Sequence, residues 1–235
     1  GLKFKTMFGL DKRNSIRGQF NGAQSSVRLG SAANATQTTN EASSWVYDNI
    51  LTYNTRIKDD HSINVTLLQE LQSLNRSSSL SMSANNLIFE EQKWYSLQRN
   101  TDATVTGSGT YSASQYLSYM GRVEYGYKGK YLVTLSNRYD NSSVLAEGNK
   151  GAWFPSASFA WQLDRENFFL NQDIFSSGRF RIGYGRVGNA SIDPYQTAGP
   201  LGFTNYNWGN GTAAIGSAPT TFATPNLTWE KTATT

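Results

Sequence analysis

Cysteine is absent from the 235 residues, which removes disulfide frameworks and thiolate metal sites from consideration. Histidine occurs once, as His61. With neither Cys nor a second His, serine- or cysteine-type catalysis has little support, and the chain is not expected to be an enzyme or to carry a cofactor. No run approaches the roughly 20 apolar residues of a membrane helix, an absence that excludes helical spans alone, because membrane barrels carry no such run. Bulk aliphatics are scarce beside Tyr, Phe, Trp, Ser, Asn, Thr and Gly. That composition is β-rich, yet unlike a soluble sandwich, whose buried faces favour Val, Ile and Leu. Twenty-one basic against 17 acidic residues give a balance too mild and too dispersed to indicate nucleic acid.

What is present is alternation. In "SYMGRVEYGYKGKYLVTLSNRYDNSSV" (118–144) the odd positions hold Tyr119, Val123, Tyr125, Tyr127, Tyr131, Val133, Leu135 and Tyr139. The even positions hold Ser118, Arg122, Glu124, Lys128, Thr134, Ser136, Arg138 and Asp140. Period two predicts two strands joined at Lys128-Gly129-Lys130, one face greasy and one charged. The same pattern predicts strands at about 2–11, 44–56, 63–72, 151–163, 178–188 and 227–231. Polar stretches at 12–42 and 73–115 read as long loops, the second broken by the apolar "NLIFEEQKWYSL" as a short helix or hairpin. "DRENFFLNQD" reads as a brief helical turn, and a third long loop precedes the last strand.

Long and short connections alternate, as in an up-and-down barrel with short periplasmic turns and long outer loops. The strands approach the roughly 9–11 residues that cross a bilayer at a tilt. In such a barrel the apolar face meets lipid and the polar face lines a wet or plugged lumen. A soluble carbohydrate-binding β-sandwich or jelly roll with its greasy face inward shows the same alternation. The aromatics favour the barrel: Tyr47 and Tyr53, Tyr119 and Tyr127, Tyr131 and Tyr139 stand near the two ends of their apolar faces, as interface girdles do. The expected fold class is therefore all-β, a transmembrane up-and-down antiparallel β-barrel, here an incomplete segment of about eight strands with long extracellular loops and short periplasmic turns.

Four stretches in order resemble the barrel of the SusC/RagA family of TonB-dependent transporters. They carry Arg138, Asp140, Ser142 and Ser143; Phe154, Pro155 and Ser156; Tyr184, Gly185, Gly188 and Asn189; and Asn226, Leu227, Trp229 and Glu230. The stretch "DNILTYNTRIKDDHSINVTLLQE" resembles an earlier barrel hairpin of that family, and the resemblance runs from about residue 44 to the end. Asn141 departs from it, standing where the family commonly has Gly. The resemblance implies residues 1–235 as part of the β-barrel domain of an outer-membrane importer of oligosaccharides or peptides. It also implies a SusD-like surface lipoprotein as partner and a TonB complex that acts through a plug. The alternating first residues and the half-strand at the end read as an internal section, with plug domain, TonB box and signal peptide outside it. An outer-membrane porin or adhesin barrel stands as the alternative.

"GYGRVG" (183–188) fits a dinucleotide fingerprint, but that motif needs a helix to follow, and "NASIDPYQT" starts none. Alternation with Phe180, Ile182 and Tyr184 instead puts Gly183 and Gly185 on the luminal face. His61 beside Asp59 and Asp60 reads as a solvated turn rather than a metal site. Glu90 and Glu91 read as a charged loop. Trp94, Tyr95, Tyr206 and Trp208 sit among Asn and Gly in outer loops, where flat rings with amide neighbours could stack on sugars or grip peptide; they are the substrate-binding candidates. Arg122, Arg138, Arg179 and Arg181 are expected to pair with Glu124, Asp140 and plug carboxylates.

Overall fold

A computed structural model describes residues 1–95, 97, 105–172, 174–207 and 213–235. Its strands are β1 (Leu2–Asn21), β2 (Asn34–Ile57), β3 (His61–Asn85), β4 (Val105–Tyr127), β5 (Tyr131–Ser142), β6 (Gly151–Gln162), β7 (Arg179–Asn189), β8 (Leu201–Asn207), β9 (Ala213–Pro219) and β10 (Glu230–Thr234). Eight of them form one sheet in the order β1-β2-β3-β4-β5-β6-β7-β10, and β8 and β9 pair separately as a two-stranded sheet. The chain divides into two compact units, one of 1–8, 46–72 and 114–235, the other of 9–45 and 73–113.

In the first unit the antiparallel registers stack side chains into rows. Tyr127 pairs Tyr131, Tyr131 pairs Trp161 and Trp161 pairs Phe180, so one aromatic row crosses four strands. The next rows on that face are Tyr125, Val133, Phe159 and Ile182, then Val123, Leu135, Ala157 and Tyr184. A second aromatic row, Tyr119, Tyr139 and Trp153, closes the band. Residues 119 to 127 of a strand at about 3.3 Å per residue and a tilt near 40° separate the two aromatic rows by about 20 Å in height. That approximates the roughly 25 Å apolar band, flanked by aromatic girdles, of an outer-membrane barrel. Leu135 in the middle row is 53% exposed, and Phe180, Ile182 and Trp153 are exposed with it. A soluble core would bury these side chains; a lipid-facing wall leaves them open.

The turns at one end are tight for a stated reason. Lys130 N–H donates to Tyr127 C=O at 2.9 Å, with Lys128 at φ 49° and Gly129 at φ 64° between them. Two successive left-handed residues make the turn whose twist suits a hairpin, and Gly129 takes that conformation without a Cβ penalty. Lys58 and Asp59, at φ 50° and 54°, turn the β2–β3 hairpin in the same hand.

The second unit corrects the loop assignment. The stretches 12–42 and 73–115, expected as loops, are largely strand: β1 runs on to Asn21, β2 starts at Asn34, β3 continues to Asn85 and β4 begins at Val105. Side-chain hydrogen bonds join the strands there, Thr36 to Ser83 at 2.9 Å, Thr38 to Ser81 at 3.1 Å and Ser77 to Ser112 at 2.9 Å. A strand with neither face in lipid needs no apolar alternation, and Thr and Ser pairs across strands stabilise it well enough. A small core of Ala33, Ala35, Ala84, Leu87 and Leu97, with Phe20, Met82 and Trp94 against it, closes this unit. The "NLIFEEQKWYSL" stretch holds a 3-10 turn at Glu90–Gln92. The expected helical turn after β6 is present as a 3-10 turn at Leu163–Arg165 and a short helix, α1, at Asn167–Leu170. The final strand lies slightly later than expected, at Glu230–Thr234.

Candidate functional site

The polar face of the first unit carries the chemistry. Even-numbered positions of β4, β5 and β6 place Met120, Arg138 and Phe154 in one row and Ser118, Asp140 and Ala152 in the next. Arg138 is the hub. Its Nε donates to Asp140 at 2.6 Å, and its Nη2 donates to Glu70 at 3.1 Å and to Ser118 at 3.0 Å. The guanidinium thus ties β3, β4 and β5 together, and Ser118 is almost wholly buried beneath it. The planar fork of Arg, with several donors fixed in direction, suits this three-way contact where Lys would not. The Arg138–Asp140 pair agrees with expectation. Among the described residues Glu124 pairs with no arginine; it accepts from Asn64 at 2.8 Å. Arg179 donates to Gln162 at 2.7 Å, and Arg122 and Arg181 have no ion-pair partner among the described residues.

Beside Arg138 the sheet carries a compact apolar corner of Val144, Leu145, Ala152, Phe154, Ala190 and Trp229, with Tyr116, Ile192 and Leu227 against it. Trp229 sits edge-on to Phe154 at 5.3 Å and to Tyr116 at 6.4 Å. Its indole N–H donates to the Lys150 carbonyl at 2.9 Å. Residues 143–150, between β5 and β6, therefore fold down on the wall instead of standing clear, and Leu145 is 2% exposed. Ser143 Oγ accepts from the Gln115 N–H at 2.8 Å, and Asn189 donates to Glu230 at 3.2 Å. A Cβ on Gly188 would run into the Phe154 ring and come within 3.0 Å of Trp229, so glycine is needed there for close approach. Residues from all four family-like stretches thus meet at one corner, a convergence that spacing in sequence could not show.

At the opposite, tight-turn end, Glu166 accepts three hydrogen bonds: from Lys130 at 2.8 Å, the Tyr131 hydroxyl at 2.8 Å and the Trp161 indole at 3.2 Å. His61 joins the same end, its Nδ1 2.7 Å from the Tyr125 hydroxyl and its ring 5.0 Å from that of Tyr127. It belongs to an aromatic cluster rather than to a solvated turn. Gly183 and Gly185 lie within the extended strand β7, beside Ser158 and Ser156. This is the luminal placement expected, and no helix follows that could hold a nucleotide.

No family model matches the chain. Over 231 residues it is 34% identical to TonB-dependent receptor P26 of Formosa agariphila, a match covering 97% of this chain and 23% of that receptor. It is also 34% identical over 154 residues to TonB-dependent receptor SusC of Bacteroides thetaiotaomicron, covering 62% of this chain and 15% of that one. The solved structure of the RagAB peptide transporter superposes with a TM-score of 0.86 over 98% of this chain and 25% of its own, at 22% identity. The chain belongs to the TonB-dependent receptors of SusC/RagA type. It spans about a quarter of the length of the relatives it matches. TonB-dependent receptors are outer-membrane β-barrels, so the apolar rows face lipid and the Arg138 face lines the lumen.

In this receptor section Trp94 and Tyr95 lie side by side in the second unit, and Tyr206 belongs to the first. Trp94 is half-buried, its indole occupying the space above Gly18, and Lys93 Nζ lies 5.9 Å from its ring centre. Tyr95 stacks obliquely on Trp94 at 5.5 Å and is 74% exposed. Tyr206 is exposed but lies within β8, not in an open loop. Trp208 falls outside the described residues. Gly18, a residue without a side chain within β1, leaves the room that this indole fills. Glu90, expected as loop charge, accepts from the Ala23 N–H at 3.3 Å and so helps close that end of the second unit.

The Glu166 geometry fixes a pH dependence. Hydrogen bonds from Lys130, then Tyr131 and Trp161, hold its carboxyl down from an ordinary 4.5 to about 2. A depressed carboxyl contributes stability above its ordinary value, and that contribution is lost as pH falls towards the folded-state value. Amide exchange across 163–178 should therefore stay slow at neutral pH and quicken as pH drops from about 4.5 towards 2. In Glu166→Gln the extra acid-induced opening should disappear, after correction for intrinsic exchange rates.

Proposed function

We propose that residues 1–235 form part of the barrel wall of an energy-coupled importer, which takes up oligosaccharides or peptides with a SusD-like surface lipoprotein and a TonB-driven plug. The observation that carries this reading is the division of the wall into a lipid face and a polar face that is only partly self-satisfied. Arg138 is ion-paired with Glu70 and Asp140, whereas Arg122 and Arg181 have no ion-pair partner among the described residues and are free to meet a carboxylate from elsewhere in the lumen. A plug carrying carboxylates fits that need better than open water, because a guanidinium forms strong, bidentate charge-assisted hydrogen bonds with carboxylates. Membership of the family and the likeness to RagAB, described as a peptide transporter, support the importer reading over a diffusion porin. Tyr95 and Tyr206, both exposed, are the aromatic contacts best placed for substrate, with Trp94 fixing Tyr95 from beneath and Trp208 as a further candidate.

The test is uptake. Cells making the full-length receptor and its lipoprotein partner are offered labelled oligosaccharides and labelled peptides, with and without dissipation of the proton-motive force. Accumulation that stops on de-energisation, for one substrate class, supports the importer. Entry that continues unchanged indicates a diffusion pore.

A further inference from the structure

The connection between β6 and β7 is built unlike its neighbours. At the tight-turn end, β2 and β3 are joined by residues 58–60 and β4 and β5 by 128–130, but β6 and β7 are joined by 163–178. A hairpin needs only a few residues, so the added length has some other use. Its apolar residues divide in two. Phe169 is spent on the fold, its ring filling the space over Gly178. Phe168, Leu170, Ile174 and Phe175 are exposed, Ile174 to 83%.

Phe168 shows where this exposed surface belongs. Its ring lies edge-on to Trp161 at 6.2 Å, and Trp161 stands in the aromatic row of the lipid face, between Tyr131 and Phe180. The exposed patch is therefore continuous with the lipid-facing band. Glu166, which would otherwise bring a bare carboxylate into that boundary, is covered by Lys130, Tyr131 and Trp161. Arg165 donates back to the Gly129 carbonyl at 3.1 Å, and Lys128 lies 5.4 Å from the Tyr127 ring centre. Cations at the water edge, a sequestered acid and outward apolar rings are the arrangement of a segment lying in a membrane interface.

We propose that the exposed side chains of Phe168, Leu170, Ile174 and Phe175 form an interfacial anchor that seats in the periplasmic leaflet of the outer membrane, at the boundary between phospholipid headgroups and acyl chains. The aromatic girdle continues through this segment beyond the strand ends, and Glu166 is the positioning residue that holds it against the wall. The anchor binds bilayer phospholipid as a surface; it needs no specific headgroup. The inference rests on the outer-membrane location of the wall, not on what the receptor imports.

The experiment uses the full-length receptor in phosphatidylethanolamine/phosphatidylglycerol nanodiscs, with a nitroxide on a single cysteine at 168 or at 174. Both side chains are exposed; the label at 168 gives up the ring contact with Trp161 whereas that at 174 does not, and heat-modifiable gel migration confirms the barrel for each. Collision with oxygen and with an aqueous nickel chelate is measured, with a label at 135 as the membrane-centre reference. The expected result is more oxygen contact than nickel contact at 168 and 174, to a lesser degree than at 135, placing them about 5–10 Å inside the interface. Glu166→Gln should shift both labels towards nickel contact. Free nickel access in the parent receptor, as for a hydrated loop, overturns the proposal. So does shielding from both agents, which means that the plug or another protein covers the patch.

Discussion

Leu135→Arg in the full-length receptor should destabilise the folded barrel in lipid by about 2–4 kcal/mol, because it puts a cation at the midplane of the lipid face. Leu135 belongs to the central row with Val123, Ala157 and Tyr184, midway between the two aromatic rows. The polar side chains nearest on that face are Asn137, one row away, and Tyr184 in the same row; neither carries a compensating charge, and snorkelling must cross half the band in either direction. Ser136, the next residue, points the other way and shares a hydrogen bond with Ser156 at 2.7 Å. Ser136→Arg loses that bond, worth about 1 kcal/mol, and stands across from Arg122, but remains on the hydrated face. Urea-driven unfolding of the receptor in lipid vesicles should thus separate the two variants clearly, with the midpoint of Leu135→Arg far lower.

The second large effect is expected at the luminal corner. Trp229→Ala should cost about 3–5 kcal/mol, the usual range for removing a buried Trp. The indole is 7% exposed and fills the space between Phe154, Tyr116 and the backbone of Lys150. Truncation empties that space and leaves the Lys150 carbonyl with the Ser142 N–H at 3.0 Å alone, so residues 143–150 lose part of their seat on the wall. Hydrogen exchange should rise first in 143–150, and limited proteolysis should cut there, while the β4–β5 hairpin remains protected. Trp229→Phe keeps most of the packing but not the N–H, and should fall between the two. If exchange in 143–150 were unchanged by Trp229→Ala, the connection would be held by something other than this corner.

Alternation made the lipid-crossing parts legible because lipid imposes it: every second residue from Tyr119 to Tyr127 and from Tyr131 to Tyr139 must tolerate acyl chains or interface. Outside lipid that constraint lapses. The Ser- and Thr-rich halves of β2 and β3 therefore looked like loop, although Thr36, Thr38, Ser81 and Ser83 pair in a regular ladder. The corner was legible only as separate fragments of a familiar pattern. Phe154, Gly188 and Trp229 are distant in sequence, and their meeting depends on strand order, with β10 pairing β7 after β8 and β9 intervene. Arg138 and Asp140, two apart on one strand, could be paired from alternation alone; Glu70 on β3 could not. The role of Glu166 is not legible in sequence because an acid in a short turn ordinarily faces water, and two of its three donors, Lys130 and Tyr131, come from the β4–β5 hairpin.

The measurement that bears most directly on the whole account is the environment of position 135. The chain contains no cysteine, so within this section a Cys at 135, and separately at 136, takes a fluorescent probe at one place only. In the full-length receptor reconstituted in bilayers, bromine-labelled acyl chains should quench the probe at 135 strongly and the probe at 136 weakly. Protection of 135 from both acyl-chain and aqueous quenchers would place the apolar rows in a dry protein core and contradict the barrel wall.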